Sequence, residues 1–138
     1  MKKNWITLLL IGAVISSIFA EPAKIALVVG NAAYSDGIPS LANPANDASD
    51  ISSVLEKNGW RVTKLVDANR REFNRSIIAF QDALKGNPGS TALFYYAGHG
   101  VQIEGKNYML PIGEVFEAKE DVKLSAFCID SIFDAFTE

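Results

Sequence analysis

Cysteine and histidine are scarce in this sequence. Cys128 and His99 are the only residues of their kinds among the 138. A single cysteine excludes a disulfide within the chain, and one cysteine with one histidine cannot supply the four ligands of a structural zinc site. Metal binding by a His/Cys cluster is therefore excluded and we expect no cofactor, although an oxygen-ligand site for calcium stays open.

Basic residues are also in the minority. The chain has 13 Lys and Arg against 16 Asp and Glu, a net charge of −3 at pH 7. Nucleic acids are bound by clustered Lys and Arg, and no stretch here interleaves basic with aromatic residues. Residues 30–34 also lack the glycine-rich patterns that cradle phosphate groups. We therefore expect neither a nucleic acid nor a nucleotide as a partner.

The longest apolar run stands at the N-terminus. Lys2 and Lys3 precede residues 6–19, which are uncharged, and Ala20 follows. The run is shorter than the roughly 20 residues of a membrane-spanning helix. The pattern predicts a signal peptide over residues 1–20, cut after Ala20, and a mature domain over residues 21–138. Ile18 is unusual three positions before a cut, so an uncleaved anchor is the alternative. We expect export to the periplasm or the medium, with no membrane span after cleavage.

Short apolar strands alternate with amphipathic helices over the rest of the chain. The predicted strands are residues 24–30, 60–66 and 91–97, the predicted helices are 44–58, 70–84 and 124–136, and a small hairpin joins 101–103 to 108–110. This order predicts an α/β domain with a mostly parallel sheet and helices on both faces. Such sheets place their sites beyond the carboxyl ends of the strands, here the loops after Gly30 and Ala97.

His99 stands just beyond the third predicted strand, between Gly98 and Gly100. A histidine in such a place can act as a general base or acid near neutral pH. The structural alternative is a turn histidine that satisfies a loop carbonyl. The pattern alone leaves both interpretations open.

Two other residues could carry chemistry. Asp47 lies in the first turn of a predicted helix, where the helix dipole favours an acid; an acidic pocket for a cationic side chain is the functional alternative. Cys128 shares an i+4 row with Leu124, Ile132 and Phe136, which predicts the apolar face of a helix. We therefore interpret Cys128 as a buried structural residue, because a nucleophilic thiol needs exposure and a partner that stabilises the thiolate.

Three segments resemble the caspase-like superfamily, in particular paracaspases and bacterial metacaspase-like (orthocaspase) proteins. They are KIALVVGNAAY from position 24, NPANDASDISSVLEKNGW from 43 and TALFYYAGHGVQIEGKNYMLP from 91. The likeness runs from about Lys24 to Phe136. It implies a three-layer caspase-like fold and a cysteine-type endopeptidase that cuts peptide or protein substrates after Arg or Lys.

The resemblance also implies site roles. His99 matches the catalytic histidine, a general base and then acid. Gly100 matches the residue whose backbone amide helps hold the oxyanion, and Asp47 matches the acid that receives the basic substrate residue.

The family's nucleophile follows a fourth strand, in an Asp-x-Cys-Arg type segment, and the sequence shows none. We therefore expect a fold that is incomplete at the C-terminus, with no nucleophile and no activity by itself. A non-catalytic peptide- or protein-binding pseudo-protease is the alternative. A missing strand would leave an unpaired sheet edge through which the chain could associate.

Overall fold

A computed structural model describes residues 21–134. The predicted signal peptide, residues 1–20, lies outside this part, as do residues 135–138. Within the described part, no helix is both long enough and apolar enough to cross a membrane.

The described chain alternates strands and helices in its first two thirds and forms a small antiparallel sheet in the last third. The elements are β1 (Lys24–Gly30), α1 (Pro44–Lys57), β2 (Arg61–Val66), α2 (Arg70–Lys85), β3 (Thr91–Ala97), β4 (Gly100–Ile103), β5 (Lys106–Met109), α3 (Lys119–Ser125), β6 (Phe127–Cys128) and α4 (Ile129–Phe133). The predicted parallel strands and the first two helices lie within one residue of these bounds.

β1 is the centre of a parallel sheet with the order β2-β1-β3. Its side chains alternate between the two faces, as a strand requires. Leu27 and Val29 pack against Phe73 of α2, whereas Val28 packs in a second cluster with Ala48 of α1. One helix therefore covers each face, and the predicted three-layer α/β arrangement is confirmed.

β2 and β3 are the outer strands of this sheet within residues 21–134. β2 exposes Arg61 and Lys64, the kind of charge that discourages pairing at a sheet edge. β3 has the sequence TALFYYA and carries no charge. Within residues 21–134, β3 therefore has an open and uncharged edge, and association through this edge stays a prediction.

The predicted hairpin is also confirmed. β4 pairs antiparallel with β5, with Gly100 opposite Met109, and β6 adds a short third strand on the far side of β5. β4 is therefore an outer strand of this second sheet.

The predicted helix over residues 124–136 is wrong. The chain forms α3, then turns at Ala126, whose backbone is extended (φ −93°, ψ 169°), before β6 and α4. Phe127 and Cys128 pair with Met109 and Tyr108 of β5. Cys128 is therefore half-buried in a strand and does not lie on the apolar face of a helix.

The tertiary partners explain this break. The free edge of β5 offers backbone hydrogen bonds to β6, and the Phe127 ring comes within 4.5 Å of the Phe73 ring centre in the core. A continuous helix would satisfy its own backbone but gain neither contact. The proposed apolar row is also divided, since Leu124 is 73% exposed and Ile132 only 2%; Phe136 lies outside the described residues.

Candidate functional site

The loops after the three parallel strands are joined at the carboxyl end of the sheet. The Asn31 N–H donates to the Ala97 carbonyl at 2.8 Å, and the Asp67 N–H donates to the Gly30 carbonyl at 2.9 Å. The loop after β1 and the turn after β3, to which the strand-end rule directed attention, are therefore in contact.

Gly30 allows α1 to begin directly against this end of the sheet. A Cβ at Gly30 would overlap the Pro44 carbonyl oxygen and lie 2.7 Å from the Ala48 Cβ. Only glycine permits this approach. It fixes the first turn of α1, and with it Asp47, beside the strand ends.

Asp47 is exposed, and its side chain makes no hydrogen bond or ion pair within residues 21–134. The first turn of a helix favours its negative charge. No hydrogen bond or ion pair joins Asp47 to His99 in the described chain. The carboxylate is nevertheless free to bind a cation that approaches this end of the sheet.

The loop between β1 and α1 is held by the turn after β2. Asp67 accepts hydrogen bonds from the backbone amides of Ala32 and Ala33, at 2.7 and 2.8 Å from one carboxylate oxygen. Its backbone lies in the left-handed region (φ 52°), which aspartate tolerates better than most residues. Two backbone amides bound to one side chain fix where the loop begins.

Asn31 connects three segments from a fully buried position. Its amide oxygen accepts from the Ala68 N–H at 2.9 Å, and its amide nitrogen donates to the Leu110 carbonyl at 3.1 Å. Buried backbone groups need such partners. Asn31 therefore ties the turn after β2 to the end of β5.

The His99 imidazole lies against the same loop. Its Nε2 is 2.8 Å from the Pro39 carbonyl oxygen. A carbonyl only accepts, so this bond places the ring proton on Nε2 and leaves Nδ1 as the basic nitrogen of the neutral ring. The Tyr34 ring meets the imidazole edge-on, with ring centres 4.7 Å apart and planes at 67°. The imidazole is thus oriented by the loop while one nitrogen stays able to take up a proton.

Two tyrosine hydroxyls hold the backbone of His99. The His99 N–H donates to the Tyr34 hydroxyl at 3.0 Å, and the Tyr96 hydroxyl donates to the His99 carbonyl at 2.8 Å. The two phenol oxygens are 3.0 Å apart. Gly98 makes room for them, because a Cβ there would lie 2.5 Å from the Tyr96 oxygen and 2.7 Å from that of Tyr34.

Both phenols stay protonated near neutral pH. Burial raises the pKa of Tyr34 above its ordinary value. Burial is also the main cause that raises the pKa of Tyr96, with its hydrogen bond to Tyr34 as the next. Each hydroxyl therefore keeps one proton to donate.

The Gly100 amide points away from β5. The Leu110 N–H donates to the His99 carbonyl at 3.0 Å. The His99 C=O and the Gly100 N–H belong to one planar trans peptide group, so they point in opposite directions. The Gly100 N–H is consequently directed to the open side of β4, where it can donate to a developing oxyanion.

Cys128 lies apart from this arrangement. β6 and β4 flank β5, and strands two positions apart in a sheet are about 9.5 Å from each other. The Cys128 side chain lines a groove with Ile77 and Gln81 of α2. Its thiol is therefore out of hydrogen-bond reach of His99. In residues 21–134, no three His, Cys, Asp or Glu side chains converge to hold a metal ion.

Sequence reasoning proposed His99, Gly100 and Asp47, and it missed the residues that hold the His99 loop in the structure: Asn31, Tyr34, Pro39, Asp67 and Tyr96. Pro39 acts through its carbonyl, which no side-chain pattern reveals. Asn31 and Asp67 had a usable signal, because each is a polar residue directly after a parallel strand. Tyr34 gave none, since it lies within an irregular loop.

Comparison with known proteins gives consistent matches. The family described as "Caspase domain" matches residues 23–136. Mucosa-associated lymphoid tissue lymphoma translocation protein 1 of Homo sapiens is 32% identical over 89 residues, which are 64% of this chain and 10% of that protein. Its homolog in Mus musculus gives the same identity and coverage. The match thus spans about a tenth of the length of these curated relatives.

Proposed function

The chain belongs to the caspase domain family, and on that premise we propose that it forms the histidine-bearing part of a cysteine endopeptidase that cuts after Arg or Lys. The observation that carries the proposal is the imidazole of His99. Pro39 holds its Nε2–H, and Nδ1 is left as the base.

In the proposed reaction, His99 takes the proton of a thiol, and the thiolate attacks the substrate carbonyl carbon. The Gly100 N–H donates to the oxygen that becomes negative, a contribution of about 10²–10³ in rate for one such donor. His99 then gives its proton to the leaving amine. Water, deprotonated by His99, hydrolyses the acyl-enzyme and restores the thiol.

The thiol must come from polypeptide other than residues 21–134. Cys128, the one cysteine of the sequence, lies two strands away from β4. β3 offers an uncharged open edge and ends at Ala97, two residues before His99. A strand that pairs in parallel with β3 would end beside the imidazole. We propose that such a strand supplies the nucleophile.

Complementation tests the catalytic proposal. The chain is mixed with a thiol-bearing polypeptide taken from an intact member of the family, and cleavage of Arg- and Lys-ended reporters is followed. We expect no cleavage by the chain alone, and cleavage in the mixture that His99→Ala abolishes. Cys128→Ala should leave that activity unchanged. Activity of the isolated chain that Cys128→Ala removes would refute the proposal.

Asp47 is proposed to bind the basic side chain before the cut bond, because its exposed carboxylate has no partner in the described chain. A peptide that ends in Arg with a free carboxylate serves as a product mimic. Asp47→Asn should weaken its binding about ten-fold, the typical effect of losing a charged hydrogen bond. Asp50→Asn, an exposed acid on the same helix, is the matched control. Equal losses in both variants would indicate a general charge effect and no pocket.

The second candidate is a non-catalytic peptide- or protein-binding domain. It is favoured by the absence of a thiol near His99 within residues 21–134, together with the unpaired carboxylate of Asp47. This candidate predicts that the Arg-ended peptide binds, and that no mixture of the chain with a thiol-bearing polypeptide cleaves the Arg- and Lys-ended reporters. The DNA sequence downstream of this reading frame also separates the two candidates. A strand followed by Asp-x-Cys, if encoded there, would favour the peptidase.

We further propose that the domain acts after export, on the strength of Lys2, Lys3 and the apolar residues 6–19. Sequencing of the exported protein should begin at Glu21. An intact Met1 in a soluble pool inside the cell would count against this.

A further inference from the structure

We propose that Tyr34 and Tyr96 are positioning residues for His99 and Gly100. The Tyr34 hydroxyl takes the place of one backbone hydrogen bond of the hairpin, and the two phenols together fix the peptide groups on either side of the His99 Cα. The inference rests on the proposed function in one respect only: it takes His99 and Gly100 as the groups that need to be positioned.

The antiparallel register places His99 opposite Leu110, one step before the Gly100–Met109 pair. Residues opposed in this way normally exchange two backbone hydrogen bonds. One of them is present, from the Leu110 N–H to the His99 carbonyl. The reciprocal bond is replaced by Tyr34, whose hydroxyl accepts from the His99 N–H and lies 3.0 Å from the Leu110 carbonyl. A side chain from another loop thus occupies this position of the hairpin.

Each phenol holds a different peptide group. Tyr34 binds the N–H of the peptide group before the His99 Cα. The Tyr96 hydroxyl lies 2.8 Å from the carbonyl oxygen of the peptide group after it and 3.0 Å from the Leu110 carbonyl oxygen, and it donates its one proton to the nearer. The orientations of these two planes define φ and ψ of His99, and therefore the direction of its side chain. The second plane also carries the Gly100 N–H, so Tyr96 sets the direction of the oxyanion donor together with the Leu110 N–H.

The two tyrosines are themselves fixed by different parts of the molecule. Tyr96 belongs to β3, and its ring stacks on Phe73 of α2 with ring centres 6.0 Å apart. Tyr34 belongs to the loop after β1 and is 6% exposed. Pro39, which binds the imidazole, lies in that same loop. The positions of the His99 imidazole and the Gly100 N–H are therefore fixed by β3 and by the loop after β1, in addition to the β4–β5 hairpin.

The test uses the isotope-labelled 138-residue chain in solution, with Tyr34→Phe, Tyr96→Phe and the control Tyr95→Phe. Tyr95 neighbours Tyr96 on β3 but packs on the α1 face. Hydrogen exchange of the His99 amide, the coupling constant that reports φ of His99, and the orientation of the Gly100 N–H vector are measured. Exchange of the β1 amides shows in each variant whether the fold is retained.

We expect Tyr34→Phe to speed exchange of the His99 amide about ten-fold, the effect of one lost hydrogen bond, and to change φ of His99. Tyr96→Phe should tilt the Gly100 N–H vector, because only the Leu110 N–H then holds the His99 carbonyl. It should affect the His99 amide less, because the Tyr34 hydroxyl still accepts from that amide. Tyr95→Phe should alter none of these. Unchanged exchange and φ in Tyr34→Phe would overturn the proposal.

A measurement on the unaltered chain keeps the proposal testable if a variant fails to fold. A nuclear Overhauser contact is expected between the His99 amide proton and the ring protons of Tyr34 next to its hydroxyl, and its absence would refute the bridge. Peptide binding is scored separately with the Arg-ended product mimic. If the unaltered chain does not bind this peptide, the result counts against the proposed function. The exchange data would still decide the role of the tyrosines.

Discussion

In the middle of the parallel sheet, Leu27, Val28 and Val29 are fully buried between two helices. One residue beyond the sheet Asn31 is just as buried, yet it is polar and bonded to two other segments. The middle of the sheet is stabilised by removal of apolar area from water, an effect that has no preferred direction. The carboxyl end is ordered by directional hydrogen bonds. The difference teaches that burial of apolar residues supplies most of the stability in the middle of the sheet, whereas directional hydrogen bonds fix the geometry at its carboxyl end.

The largest expected effect is in the middle. Phe73→Ala removes a fully buried ring that contacts Phe127 and Tyr96, and should lower the free energy of unfolding by about 3–5 kcal/mol. Ile78→Ala on the same helix, where the side chain is 49% exposed, should cost much less. Denaturant unfolding measures both. Similar losses in the two variants would contradict the division between a buried and an exposed face of α2.

Asn31→Ala probes the carboxyl end. It would leave the buried Ala68 N–H without its acceptor and remove one donor to the Leu110 carbonyl. We expect a loss of about 2–3 kcal/mol in unfolding free energy, together with altered amide shifts at His99. The control is Asn58→Ala, whose side chain makes one exposed bond to the Val54 carbonyl. A loss in Asn31→Ala no greater than in the control would show that the carboxyl end is not ordered by this residue.

High pH should weaken the carboxyl end through its tyrosines. The pKa values of Tyr34 and Tyr96 are raised in the folded state, mainly by burial, above the ordinary value of 10.0. The folded state therefore holds these protons longer than the unfolded state. Their contribution to the free energy of unfolding is complete below pH 10. It is lost as the pH rises further, by up to about 1.4 kcal/mol per pH unit for each tyrosine.

Unfolding free energies measured between pH 8 and 11 would show this slope. The double variant with Tyr34→Phe and Tyr96→Phe should lose most of it, whereas Tyr95→Phe should keep it. A slope that persists in the double variant would assign the alkaline loss to other groups.

The smallest expected effect concerns a buried polar residue in one of the two helices that cover the parallel sheet. Ser52 of α1 is 2% exposed, and its hydroxyl oxygen has no hydrogen-bond partner among the described residues. Ser52→Ala removes this unpaired group and adds helix propensity, so we expect a gain of about 1 kcal/mol by denaturant unfolding. Ser53→Ala, at an exposed position whose hydroxyl bonds Ser49, is the comparison. Destabilisation by Ser52→Ala would imply a partner such as an ordered water.

The parallel sheet and its two helices could be predicted from the sequence because their signals are local. The apolar run of β1 and the amphipathic patterns of α1 and α2 each arise within a few residues of sequence. The position of His99 beyond β3 followed from the same reasoning, because the carboxyl ends of parallel strands lie at one edge. The family resemblance added predicted roles for His99, Gly100 and Asp47, and these stay predictions.

Only the tertiary structure decided the rest. Residues 124–134 have a helical period, but the open edge of β5 and the buried Phe73 ring make a strand at Phe127 and Cys128 more favourable. The Pro39 carbonyl and the Tyr34 hydroxyl reach His99 across 60 and 65 positions of sequence. Sequence patterns report how neighbours share a face, whereas hydrogen bonds of this span exist only once the sheet has brought its strand ends together.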